Sequence, residues 1–277
     1  MAKVSLSTKI HIPLIGSLVL GLIIILGISW NGINEIKPVI HQNEKSKIKD
    51  MMNEKIHAKY FATLTNAITL GHNGDVGTAL RFNDIAFVGA TLKNLTNDFK
   101  QNSDFKNVKI HVHTKDGFSF LRHWSDKRGD DLKSFRKTIR KVMNDKKPFV
   151  ALEVGRDGLA FRGISPVIDD GGTYQGSIEF MAGFASVLKD LKVEDGIDSV
   201  LLLSSKYKDL SENFKQNVSI GNYMIINKSE SANDKLLSEI KPEFIEKDYA
   251  VSDNYFMTST PLKDIDGEII GYLLGIE

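Results

Sequence analysis

The chain has no cysteine in 277 residues. That excludes disulfides, thiolate metal ligands, a cysteine nucleophile and covalent haem attachment. Neither sign of charge dominates: Lys plus Arg is 36 and Asp plus Glu is 35, so no bulk basic field points to nucleic acid. Catalytic signatures are missing too. There is no GxSxG elbow, no Walker A loop, no HExxH and no GxGxxG after a strand. "GGTYQG", Gly171 to Gly176, is a glycine-rich turn without the strand-to-helix context of a phosphate cradle. These gaps lead us to expect a protein that is not an enzyme and carries no cofactor.

Long apolar runs are scarce, with one exception. "IPLIGSLVLGLIIILGISW", Ile12 to Trp30, carries no charge. As a helix it rises about 28 Å, close to the hydrocarbon thickness of a bilayer. Trp30 falls at an interfacial position, and Lys3 and Lys9 precede the run with no acidic residue before Glu35. The positive-inside rule then puts residues 1–11 in the cytoplasm, 12–30 across the membrane and the remainder outside. A cleaved signal peptide is the alternative. Its apolar core is usually shorter, and no small-x-small cleavage site precedes Asn31.

From Asn31 to Leu70 the pattern is helical, with Ile36, Ile40, Ile48, Met52, Ile56 and Tyr60 on one stripe. Pro38 is expected to bend this helix near the membrane. "GHNGDVG", Gly71 to Gly77, reads as a turn, and a second helix follows over roughly 78–100. Residues 31–100 thus form a helical stalk. We expect it to pair with its copy in a homodimer, with Ile48, Met52 and Ile56 at the seam.

Alternation then replaces helical periodicity. "VKIHVHT" and "FSFLRHW" read as a hairpin about "KDG". "DDLKSFRKTIRKVMND" is an amphipathic helix, with Asp130 or Asp131 as N-cap and Leu132, Phe135, Ile139 and Val142 inward. "PFVALEVG", "LAFRGISPVI" and "YQGSIEFMAGF" supply three more strands, and "ASVLKDLKV" a short helix. From about Asp198 a smaller set repeats the order: strands, a helix ending before Pro242, then strands to Ile276. The closing segments align without a gap. "SPVIDDGGTYQGSIEF" (165–180) matches "TPLKDIDGEIIGYLLG" (260–275), Pro166 with Pro261, Gly172 with Gly267 and Gly176 with Gly271. The chain therefore reads as an α+β fold with two copies of one antiparallel-sheet module, at 101–192 and 193–277.

An anchor helix, a long helix and two PAS-like modules resemble a double Cache sensory domain. The segment from "DGFSFLRHW" to "YQGSIEF" is similar to sensor regions of bacterial methyl-accepting chemotaxis receptors and of related histidine kinases and diguanylate cyclases. The resemblance implies an inner-membrane receptor with its sensor in the periplasm. The membrane-distal module would bind a small ligand, and the signal would pass through helix repacking to a second transmembrane helix beyond Glu277. A stand-alone membrane-tethered binding protein is the other expectation.

Candidate ligand contacts follow from strand alternation. Phe118, Phe120, Arg122 and Trp124 should share one face, where Arg122 could grip a carboxylate and Trp124 pack its carbon skeleton. Arg122 and Trp124 are also similar to part of the amino-acid-binding motif of double Cache sensors, with Ser125 where that motif has an aromatic residue. Arg162 and Ile164 share a face of "LAFRGISPV", and Arg136 could reach over the sheet from the central helix. Arg156 belongs to a turn. Three arginines against Glu153 and Glu179 favour a small anion or a zwitterion whose ammonium meets Glu179. Mutual pairing of these charges, or exposure on a solvated sheet face, is the plainer reading. His111 and His113 share a strand face and could chelate Zn²⁺, but the sequence places no third ligand; two histidines on a wet strand face, with no metal, is the expectation.

Overall fold

The computed structural model describes residues 6–155, 158–227 and 234–277. Lys3 and Arg156, placed above in the cytoplasm and in a turn, lie outside them.

The chain divides into one compact unit up to Lys47 and another from Ile48 to Glu277. A helix α1 spans Leu6–Gly71 and runs through Pro38. In the first unit its apolar side chains, among them Leu14, Leu18, Leu22, Leu26 and Trp30, are exposed. Among the described residues it is the one helix long and apolar enough to cross a membrane.

The second unit holds two antiparallel sheets. Before the first come α2 (Gly74–Phe82) and α3 (Ile85–Asn102). The expected single helix over 78–100 is therefore two. Asn83 takes a left-handed conformation (φ 55°) that ends α2, and the Asp84 side chain accepts from Phe87 N to start α3. The expected glycine-rich turn contracts to His72–Asn73, because Asn73 caps α2 at Asp75 N.

The first sheet contains β1 (Lys109–Thr114), β2 (Ser119–Arg122), β3 (Phe149–Gly155), β4 (Gly158–Ile168) and β5 (Tyr174–Ala182), in the order β2-β1-β5-β4-β3. Between β2 and β3 lies α4 (Lys137–Asp145). Next, α5 (Ala185–Val193) leads to the second sheet. Its strands are β6 (Asp198–Ser204), β7 (Ser219–Ile220), β8 (Tyr223–Ile225), β9 (Tyr249–Val251), β10 (Phe256–Lys263) and β11 (Ile269–Ile276), ordered β7-β8-β6-β11-β10-β9. Short helices α6 (Glu212–Lys215), α7 (Asp234–Glu239) and α8 (Pro242–Ile245) cover it.

One face of each sheet packs on helices. Ile110, Val112, Ile178 and Phe180 of the first sheet are fully buried with Ala67 of α1, Ala79 of α2 and Val88 of α3. Leu201 and Leu273 of the second meet Ile48 and Met52 of α1 and Leu188 of α5. Each such side chain contributes about 1.5–3 kcal/mol by leaving water. This corrects the expected dimer seam: Ile48, Met52 and Ile56 are buried against the protein's own sheets, so a second copy has no access to them. Two glycines permit the close approach. A Cβ on Gly163 would lie 2.4 Å from Thr63 O, and one on Gly275 would lie 2.6 Å from Ile48 Cγ2.

The repeat holds at the level of single hydrogen bonds. Pro166 pairs with Ser177 and Val167 with Gly176, and register slips between Val167 and Ile168. In the second hairpin Pro261 pairs with Tyr272 and Leu262 with Gly271, with the slip between Leu262 and Lys263. Asp169 Oδ1 accepts from the Gly171 and Thr173 amides, and Asp264 Oδ1 from those of Asp266 and Glu268. Gly172 and Gly267 occupy the left-handed position of these turns, at φ 79° and 82°.

Candidate functional site

The face of the first sheet away from α1 is polar at its centre. Cross-strand pairing sets His111 opposite Glu179 and His113 opposite Ser177. All four are buried, Glu179 and His113 completely. The expectation of two histidines on a wet strand face is thus wrong. Glu179, out of reach of local sequence reading, is the third group beside them, and the three ligand atoms lie within 4.8 Å of one another. Trp124 stands edge-on to His111, ring centroids 5.7 Å apart.

Arg136 and Arg162 close over Glu179. Arg136 Nη2 donates to Glu179 Oε1 at 2.6 Å and its Nε to Glu153 Oε2 at 2.5 Å. Arg162 Nη1 donates to the same Glu179 oxygen at 3.0 Å, with Nε 3.3 Å from Glu153 Oε2. Arg136 reaches this point because of where α4 starts. The expected start at Asp130 or Asp131 is replaced by a tighter turn, in which Asp131 Oδ1 accepts from Ser134 N. The helix begins at Lys137, Arg136 is its extended N-cap residue, and Phe135 is exposed rather than inward. Burial works against the charge on Glu179, but Arg136 and Arg162 prevail and hold its carboxyl well below the usual range. Burial also lowers both histidines below the ordinary imidazole value, against the pull of Glu179.

β2 differs from the expected strand. It ends at Arg122, leaving Trp124 in a turn. A bulge opposite Val112 and His113 makes Phe120 the extra residue, and Phe120 joins the core with α2 and α3. Phe120 and Arg122 therefore do not share a face. Phe118 is partly exposed beneath Lys133. Arg122 is pinned: Nη2 donates to Asp130 Oδ2 at 2.7 Å and Nη1 to Lys127 O at 2.6 Å. Asp130 thereby removes the arginine excess counted from the sequence. Ile164 is packed with Leu132, Ile139 and Val142 under α4. The structure thus brings together Arg136, Arg162 and Glu179, sets Trp124 at the edge, and keeps Phe120, Ile164 and Arg122 occupied elsewhere.

The second module differs at the matching positions. By the hairpin alignment His111, His113 and Glu179 correspond to Val200, Leu202 and Leu274, which pair in the same register and form an apolar core. A separate cavity of about 520 Å³ lies between the two sheets beside α1 and α5, lined by Lys59, Asp104, Leu159, Ala182, Leu201 and Asn227 among others.

A sequence family described as the double sensory domain of two-component sensor kinases matches residues 64–276. No curated protein sequence matches the chain. Among solved structures, the sensor domain of the Vibrio cholerae histidine kinase DctB is similar at TM-score 0.54 and 11% identity, covering 85% of this chain and 96% of that one. The ligand-binding domain of the Pseudomonas fluorescens chemoreceptor CtaA, solved with L-valine, is similar at TM-score 0.41 and 14% identity, covering 84% and 96%. An extracellular ligand binding receptor from Desulfohalobium retbaense is similar at TM-score 0.43 and 13% identity, over 85% of this chain and 39% of that one. The chain thus spans about two fifths of that last receptor.

Proposed function

The chain belongs to the family of double sensory domains of two-component sensor kinases, and we propose that it is the extracytoplasmic sensing portion of a membrane-anchored chemoreceptor. The observation that carries this reading is the contrast between modules. One spends three core positions on His111, His113 and Glu179; the other fills them with Val200, Leu202 and Leu274. Burying such groups is costly, and a module that needs only to fold has no use for them. The first module, residues 101–192, is therefore the ligand-binding one, and residues 193–277 carry the response onward.

The ligand is a small anion or zwitterion. Its carboxylate takes the place of Glu153, the least buried member of the ion-pair cluster, on Arg136 and Arg162. Trp124 packs against the ligand's carbon skeleton. Exchange of one carboxylate for another shifts β3 and α4, and differential affinity for two arrangements is the signal. Residues 12–30 anchor the chain. The homodimer forms through the face of α1 that the sheets leave open, where Ala58, Phe61 and Thr65 are exposed. A sensor histidine kinase or diguanylate cyclase is the alternative output, favoured by the family's own description.

The test is calorimetry of the 277-residue chain in detergent against organic acids and amino acids. Binding that Arg162→Gln abolishes, with the circular dichroism unchanged, is expected. Heat that persists undiminished in that folded variant would move the site elsewhere.

A further inference from the structure

Three potential ligand atoms converge in the core of the first module. His111 Nδ1 and His113 Nε2 each lie 3.6 Å from Glu179 Oε2. That is beyond hydrogen-bond reach, and among the described residues His113 Nε2 and Glu179 Oε2 make no hydrogen bond. Leaving a buried polar group unpaired is costly. The other nitrogen of each histidine is tied. His111 Nε2 is 2.8 Å from Ser119 Oγ, and His113 Nδ1 is 2.9 Å from Ser177 Oγ. In the tautomer that donates an imidazole N–H to each serine oxygen, both remaining nitrogens turn lone pairs toward Glu179. The two guanidinium groups occupy Glu179 Oε1 and leave Oε2 to the histidines.

We propose that His111 Nδ1, His113 Nε2 and Glu179 Oε2 bind a divalent transition ion of the Zn²⁺ class, with a fourth position open to an exogenous ligand. Metal–nitrogen and metal–oxygen bonds of about 2.0–2.2 Å set tetrahedral ligand atoms roughly 3.4 Å apart. The two nitrogen–carboxylate separations of 3.6 Å are close to that, and all three atoms lie within 4.8 Å of one another. Two imidazoles with one carboxylate suit zinc and its neighbours better than calcium or magnesium, which take oxygen ligands. Ser119 and Ser177 behind the histidines, and the arginines behind the carboxylate, are the outer contacts that orient metal ligands. The charges of Arg136, Arg162, Glu153 and Glu179 cancel, so a dication entering here brings hydroxide or a small anion as its fourth ligand. The inference rests on the reading of the first module as the ligand-binding one and adds to it, because the metal uses Oε2 while the guanidinium groups use Oε1.

The second module supplies the test variant. The 277-residue chain in detergent, stripped with chelator, is titrated with ZnCl₂ by calorimetry and with Co²⁺ by visible absorption. A single ion per chain is expected, with a cobalt spectrum of four-coordinate intensity. The double variant His111→Val with His113→Leu copies Val200 and Leu202. It should stay folded and lose zinc binding at this site, while Ser177→Ala weakens it about tenfold. Wild-type protein that takes up no zinc would overturn the proposal. So would a folded double variant with an unchanged titration, which would assign the heat to exposed histidines such as His57. If the double variant does not fold, His113→Gln decides by the same criterion. Carboxylate binding that survives the double substitution leaves the receptor reading intact whatever the zinc result.

Discussion

Lys59 is buried on α1, where its Nζ donates to Ser186 Oγ at 2.8 Å and lies 3.9 Å over the Phe105 ring. Burial lowers its ammonium to about 8, although Asp104 and Asp190 pull the other way. The unfolded lysine titrates near 10.5, so between these values unfolding takes up a proton. The penalty for burying the charge is therefore full at pH 7 and is relieved as pH rises through that window. Lys59→Met should raise stability at pH 7 by on the order of 1 kcal/mol and lose most of the rise toward about pH 9.5, as read from urea midpoints. Glu179 behaves in the opposite way. Replacing it with leucine, the residue at the matching Leu274, strands Arg136 and Arg162 with only Glu153 between them, at a cost of about 3–5 kcal/mol. A urea midpoint for Glu179→Leu close to wild type would show that the cluster is not coupled as drawn. The contrast with the histidine pair, where apolar replacement should be tolerated, separates a carboxylate that the fold also needs from histidines that it does not.

At the scale of elements, the notches at Gly163 and Gly275 decide how α1 seats. Gly163→Ala puts a Cβ against the Thr63 backbone, which cannot swing aside as a side chain can. Chemical denaturation should show a loss of about 1–3 kcal/mol. Gly89→Ala, in α3 with nothing within 4 Å of the added carbon, should instead gain about 0.5–1 kcal/mol. Equal effects at the two sites would mean that helix propensity, not close approach, sets both. Elements were legible in the sequence where a period repeats. The strands at Val108–Thr114 and Leu159–Ile168 and the helix at Ala185–Val193 follow directly from alternation or amphipathicity. The bulge at Phe120 was not legible, since one extra residue leaves no periodic trace and Phe120 and Leu121 are both apolar. The true start of α4 was hidden because Asp131 caps a turn with the same side-chain chemistry that caps a helix. The pairing of His111 with Glu179 requires that β5 lie beside β1, a non-local fact that no window of sequence contains.

For the whole molecule, the stripe Ile48, Met52 and Ile56 shows how far periodicity reaches. It marked a buried face correctly and named the wrong cover, because a helix meeting a sheet and a helix meeting its copy write the same pattern. Cysteines at Ala58, Phe61 and Thr65 should therefore crosslink two copies in membranes, while cysteines at the buried Ile56 and Thr63 should not. Crosslinking strongest at Ile56 would put the dimer where the sheets now lie. The two glycine notches carry a last consequence. Thr63 sits in one and Ile48 with Met52 in the other, about 20 Å apart along one continuous rod. A shaft keyed twice cannot slip lengthwise by a helical turn without lifting out of both slots at once. The motion left to it is a small roll or tilt, so under the proposed receptor reading a change in the first sheet would reach the second as torque rather than as thrust.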